Sequence, residues 1–122
     1  MRRAIVLPLV ALPLVAGVPQ ANAQDAGETI FKRYCAVCHT IDAGKNKIGP
    51  SLAGIVGRKA GTAPGYSYTD ANKNSDVTWD ESNLDTYLTD PRKFIPGTKM
   101  LFVGIKSADD RKAVIAYLKA QK

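Results

Sequence analysis

Cys35, Cys38 and His39 stand together as C-A-V-C-H, and they are the two cysteines and the single histidine of a 122-residue chain. Thiols three apart with an imidazole directly after them suit four chemistries. A structural zinc site needs four ligands, and this group supplies three, with adjacent Cys38 and His39 poorly placed for one tetrahedron. A redox dithiol of the thioredoxin kind expects a βαβ setting, and no such pattern surrounds the motif. A disulfide at this spacing closes a very small loop and stabilises little. The fourth chemistry is covalent haem attachment, for which C-x-x-C-H is the known spacing. Two thiols one helical turn apart reach two neighbouring vinyl groups, and the next residue reaches the iron. This reading accounts for all three side chains.

Under it, His39 binds as neutral imidazole, and its other ring nitrogen needs a carbonyl to fix the ring. A second axial ligand follows by elimination. Thioether sulfur ligates haem iron, and the chain has two methionines. Met1 belongs to a removable leader, so Met100 remains. It sits 61 residues beyond His39, just after the turn-forming pair Pro96-Gly97.

The elements that must position these groups come next. Residues 1–23 read as an export signal cleaved after Ala23. Arg2 and Arg3 lead, an apolar run spans Ala4–Val18 with Pro8 and Pro13 in it, and Ala21-Asn22-Ala23 offers a small-x-small site. The domain is then 24–122. That is short for a self-sufficient core, so a large apolar cofactor would help to fill it. Without Arg2 and Arg3 the formal charge falls from +6 to +4. No basic run or recognised motif points to nucleic acid. Acids dominate 70–90 and bases dominate 92–122, a dipole suited to orienting the molecule toward an acidic partner.

Asp25 and Glu28 read as a capping box opening a helix with Ile30, Phe31, Tyr34 and Cys35 on its apolar side, running into Cys38. Thr78 and Glu81 read as a second box, before Leu84, Tyr87 and Leu88. Pro91 ends that helix or starts the next turn. Ser107 and Asp110 open a last helix with Val114, Ile115, Tyr117 and Leu118 inward. Residues 42–68 hold six glycines with Pro50 and Pro64, and read as loop. Yet Ile48, Leu52, Ile55, Val56, Tyr66 and Tyr68 in that loop want burial. Wrapping a flat apolar cofactor satisfies both facts. No alternating strand pattern stands out, and the class is all-α.

The stretches CAVCHT, GPSLAGIVGRKAGTAPGYSYTDANKN, TWDESNLDTYL and PRKFIPGTKMLFVGIK resemble the class I cytochromes c, in the close group of mitochondrial cytochromes c and bacterial cytochromes c2. The resemblance spans the whole of 24–122. It implies a small single-domain fold of helices and long loops wrapped around one covalently bound haem c. It implies that Pro50 supplies the carbonyl to His39. It also implies that Arg58, Tyr68 and Trp79, with Thr69, Asn72 and Thr98 nearby, hold a buried haem propionate. Tyr87 would bond the Met100 sulfur, and Gly27, Phe31, Tyr117 and Leu118 would join the first and last helices. Lys45, Lys47, Arg92, Lys93, Lys99 and Lys106 would border the haem edge and dock acidic redox partners. The implied role is that of a soluble, monomeric periplasmic one-electron carrier, not an enzyme. It would run from a bc-type quinol-oxidising complex to a terminal oxidase or a photosynthetic reaction centre. A haem enzyme or sensor would require Met100 to leave the iron, and a thiol-redox protein would require haem to be absent.

Overall fold

The computed structural model describes residues 8, 10–14, 16, 17 and 22–122. Arg2, Arg3, Met1 and Ala21, which carry much of the expected export signal, lie outside the described residues. Among the described residues five helices follow in order: α1 (Ala23–Tyr34), α2 (Asp70–Lys73), α3 (Glu81–Thr89), α4 (Pro91–Phe94) and α5 (Ala108–Lys119). None of them is long and apolar enough to cross a membrane.

The chain ends form the frame. α1 packs on α5, and α5 also packs on α3. Ile30 and Phe31 of α1 meet Val114, Ile115, Tyr117 and Leu118 of α5 in the core, with the Phe31 and Tyr117 rings 5.6 Å apart. Each such aliphatic or aromatic side chain contributes roughly 1.5–3 kcal/mol when fully buried. Gly27 permits the approach: a Cβ there would stand 2.3 Å from the Ala113 carbonyl oxygen and 2.4 Å from the Tyr117 Cβ. The contact implied for Gly27, Phe31, Tyr117 and Leu118 is therefore present. Arg111 clamps the third side. Its Nε donates to Asp85 of α3 at 2.8 Å, and the same guanidinium donates to the Ile105 and Lys106 carbonyls.

Several expected boundaries hold. Ser107 caps α5 by accepting from the Asp110 N–H. Pro91 opens α4 at its first position, where its missing N–H costs nothing, and Asp90 both closes α3 and caps α4. Others shift. The cap of α1 is Asn22, accepting from the Asp25 N–H, so the helix starts before the Asp25–Glu28 pair. The cap of α3 is Asp80, accepting from Asn83 at 2.7 Å. Thr78 instead joins an isolated antiparallel bridge with Lys59. In both cases the capping residue is the Asx that directly precedes the first helical residue, where its side-chain oxygen reaches the N–H three residues on. α1 stops at Tyr34, and Cys35–Cys38 continue as tight turns, with the Cys38 and His39 N–H groups both donating to the Cys35 carbonyl.

Residues 42–68 carry no helix, as expected. The turn at α2 follows at once, capped by Thr69. It has no buried residue and hence no apolar periodicity to announce it.

Candidate functional site

Several separate segments converge on one cavity of about 450 Å³. That is within the roughly 300–1,000 Å³ typical of cofactor sites. The turn after α1 brings Cys35, Cys38 and His39. The long loop brings Pro50, Arg58, Tyr68 and Thr69, and α2 adds Asn72. Trp79, Tyr87 of α3, Thr98 and Met100 complete the wall. Every residue expected to touch haem or its iron lines this cavity.

The His39 ring is fixed on two sides. Its Nδ1 lies 2.7 Å from the Pro50 carbonyl oxygen. A carbonyl only accepts, so Nδ1 carries the proton and Nε2 keeps its lone pair. Gly49 packs flush against the ring, where a Cβ would come within 2.3 Å of Cε1. Burial pulls the His39 pKa below its usual value. The bond to Pro50 opposes that shift and the Lys47 charge assists it. The imidazole is therefore neutral at pH 7 and able to coordinate.

Met100 is held by a different device. The Ile95–Thr98 turn, with Pro96 and a positive-φ Gly97, delivers Thr98 and then Met100. The Tyr87 hydroxyl donates to Met100 Sδ at 3.2 Å and lies 3.4 Å from Thr98 Oγ1. Burial raises the Tyr87 pKa, so the phenol stays a donor. One sulfur lone pair is engaged by that bond and the other is free for a metal.

The polar end is built by pairing across the sequence. Trp79 N–H donates to the Arg58 carbonyl, Gly57 N–H to the Trp79 carbonyl, and Ala60 N–H to the Val77 carbonyl. This sets Arg58 beside Trp79. The Arg58 guanidinium donates to the Ser51 and Ala53 carbonyls, which fixes it in the wall. Asn72 Oδ1 is buried without a partner. A haem propionate, met by the Asn72 amide in its flipped orientation, would remove that cost.

The rival chemistries find no support in the geometry. Among the described residues no three His, Cys, Asp or Glu side chains are grouped to hold a metal ion. Both cysteines are free. Burial, with the neighbouring Cys38, pushes the Cys35 thiol up to about 11, which is opposite to the lowered value of a redox thiolate.

A family model described as cytochrome c matches residues 24–122. The chain belongs to the cytochrome c family. It is 55% identical over 102 residues to cytochrome c of Gossypium barbadense, covering 83% of this chain and 91% of that protein. It is 56% identical over 88 residues to cytochrome c2 iso-2 of Magnetospirillum molischianum, covering 72% and 91%. The solved structure of cytochrome cH from Methylobacterium extorquens superposes with a TM-score of 0.74 at 47% identity, covering 79% of this chain and 96% of that one. The class I cytochrome c fold, covalently bound haem c and electron transfer as the family's work follow from these matches.

Of the loop residues expected to wrap the cofactor, Leu52, Ile55, Tyr66 and Tyr68 line the cavity, whereas Val56 packs on the core behind it. Ile48 also lines the cavity but is 73% exposed, because it stands at the opening. Gly49, Leu84, Leu88, Leu101 and Phe102 are lining residues that sequence reasoning did not assign. Leu84 and Leu88, one helical turn apart, carried a readable signal. The six basic residues expected to dock partners are all exposed, but they are not equivalent. Lys99 lines the cavity, and Lys47 donates to the Ala36 carbonyl inside the C-x-x-C turn at 2.8 Å. Lys45 faces Asp42 at 3.9 Å. Lys93 borders a separate hollow with Asp85 and Asp90, while Arg92 and Lys106 sit on the surface away from the lining.

Proposed function

We propose that this family member is an exported, periplasmic one-electron carrier whose haem is bound through Cys35 and Cys38 and closed by His39 and Met100. The observation that carries the reading is that both candidate ligands line one cavity and each is tied by a hydrogen bond: Nδ1 of His39 to Pro50 at 2.7 Å and Sδ of Met100 to Tyr87 at 3.2 Å. When bound, haem c supplies a metal that changes charge by one electron. The chain does the rest. Both bound to the iron, His39 and Met100 would leave no coordination position for oxygen or substrate. The apolar wall of Leu52, Ile55, Leu84 and Leu88 disfavours the added charge of the oxidised state, which raises the potential. Arg58, Tyr68, Trp79 and Asn72 secure the propionate end. The rigid tethers keep both ligands in place in either oxidation state, so little has to move.

Electron exchange takes place through the open side of the cavity. Ile48 and Leu101 line it and are exposed, and Val37 and Val103 are exposed nearby in sequence. An apolar rim with Lys47 and Lys99 at its edge fits transient docking to acidic membrane redox complexes: a bc-type complex as donor, an oxidase or reaction centre as acceptor. Export rests on the leader-like 1–23 and on a family match that begins at residue 24.

Mass analysis of the denatured protein from a host competent in haem attachment tests the linkage. The expected mass is that of Gln24–Lys122 plus one haem. Oxidised protein should show the methionine–iron band, and the reduced protein should not take up carbon monoxide at neutral pH. Ready carbon monoxide binding would favour a haem enzyme or sensor. An unmodified mass would remove the haem reading itself.

A further inference from the structure

We infer, resting on the haem reading above, that Asp76 is a positioning residue for Lys59, and that the pair sets the charge beside the propionate end of the cavity and with it the reduction potential. Among the described residues, Asp76 is the one residue other than glycine with a positive φ, 54°. L residues disfavour that left-handed conformation, and aspartate and asparagine tolerate it best. Strain of this kind persists only where something in the structure uses it. Asp76 stands between α2 and the paired residues 77–79. From there its Oδ1 lies 3.4 Å from Lys59 Nζ. The strained residue is thus the one that carries the carboxylate to the lysine.

Lys59 follows Arg58 and lines the cavity, whereas Asp76 does not. Its backbone is held on every side. It bridges Thr78, the next residue, Ala60, donates to the Val77 carbonyl at 2.8 Å, and the Thr62 hydroxyl donates to the Lys59 carbonyl at 2.6 Å. Only the side chain has freedom, and among the described residues its one ion-pair partner is Asp76. Arg58 is already committed to the Ser51 and Ala53 carbonyls. Lys59 is therefore the cation at this end whose position an acid controls. Paired, its ammonium is neutralised and held toward residue 76. Released, it is an uncompensated cation lining the cavity of a group that gains positive charge on oxidation, and it disfavours the oxidised state. Both side chains are more than half exposed, so the pair contributes little to stability. Its effect is on the potential.

The ratio of reduced to oxidised holoprotein, measured by spectroelectrochemistry at the wild-type midpoint, tests this. Asp76→Asn keeps a residue suited to the turn and deletes the charge. The ratio should rise on the order of twofold to threefold, the size expected of one unit charge about 10 Å away in a high-dielectric setting. Asp76→Glu should stay near wild type. Asp76→Gly should give the Asp76→Asn ratio together with a higher denaturation midpoint, because charge sets the first and φ the second. In a Lys59→Gln background the Asp76→Asn shift should be clearly smaller, since no ammonium is left to release. Asp109→Asn, which removes an acid from the first turn of α5, should leave the ratio unchanged. An unchanged ratio in Asp76→Asn, an equal shift from Asp109→Asn, or an Asp76→Asn shift of the same size with and without Lys59 overturns the inference while the haem reading stands. A denatured mass without covalent haem removes both.

Discussion

The α1–α5 pair and the loops around the cavity hold themselves together by different means. In the helix pair the backbone hydrogen bonds are internal, Ile30, Phe31, Val114 and Leu118 are buried among one another, and a glycine contact brings the helices close. Residues 42–68 and 95–104 have almost no regular backbone pairing. They are held by single side-chain tethers: Asn46 to the Pro64 carbonyl, Arg58 to Ser51 and Ala53, Tyr66 to Ile48, Tyr87 to Met100. The difference teaches where the cofactor contributes to the fold. The frame is a packed core, while the loops are a wall completed by the group they enclose.

The largest test removes the enclosed group. Cys35→Ala with Cys38→Ala should abolish covalent haem. Amide exchange in 42–68 and 95–104 should then approach that of an unfolded chain, and any residual protection should lie in α1 and α5. Loops that stay protected in that variant would show that the wall stands by itself. Next come two glycines that separate the regions. Gly27→Ala forces a Cβ against the Ala113 carbonyl and Tyr117 and should lower stability by about 1–3 kcal/mol, with the methionine–iron band unchanged. Gly49→Ala presses on the His39 ring and should alter the haem spectrum and potential more than the denaturation midpoint. If the two variants behave alike, frame and wall are one cooperative unit.

Acid should act through the wall. Burial disfavours the charged form of His39, and a proton would compete with iron for the same Nε2 lone pair. Lowering the pH should therefore weaken the histidine–iron bond, read as loss of the low-spin haem spectrum. A spectrum that stays low-spin in acid strong enough to unfold α1 and α5 contradicts this. The smallest effect is expected for Tyr87→Phe, which deletes the bond to Met100 Sδ and keeps the ring packed on Trp79. Loss of one neutral hydrogen bond is about 0.5–1.5 kcal/mol. The potential should fall, because the donor no longer withdraws charge from the sulfur in favour of ferrous iron. An unchanged potential would mean that the hydroxyl only positions the side chain.

What the sequence determined by itself was local or additive. C-A-V-C-H names its chemistry because haem attachment needs those groups within one turn. The Ser107 cap, Pro91 at a helix start and the inward faces of α1 and α5 follow from periods of a few residues. The glycines and prolines of 42–68 exclude helices there, and the buried-type residues among them imply something to wrap. Local signals also misled: Thr78 looks like a cap, but Asp80 is the one that reaches the free N–H group; in α1 Asn22 holds that place in the chain with its leader, and cleavage after Ala23 would remove it. Four-residue α2 has no period to detect. The roles of Pro50, Arg58, Trp79 and Tyr87 were legible only through family resemblance. Tertiary structure decided what lies far apart in sequence. The pairing of 57–60 with 77–79 sets Arg58 beside Trp79, and the packing of α3 brings the Tyr87 hydroxyl to the sulfur 13 residues later. It also turned Lys99, by its type and exposure a docking charge, back onto Ser67 and Tyr66. A hydrogen bond or ring contact depends on ångström-scale distances between separate segments, and no spacing along one chain encodes those distances until the core has closed.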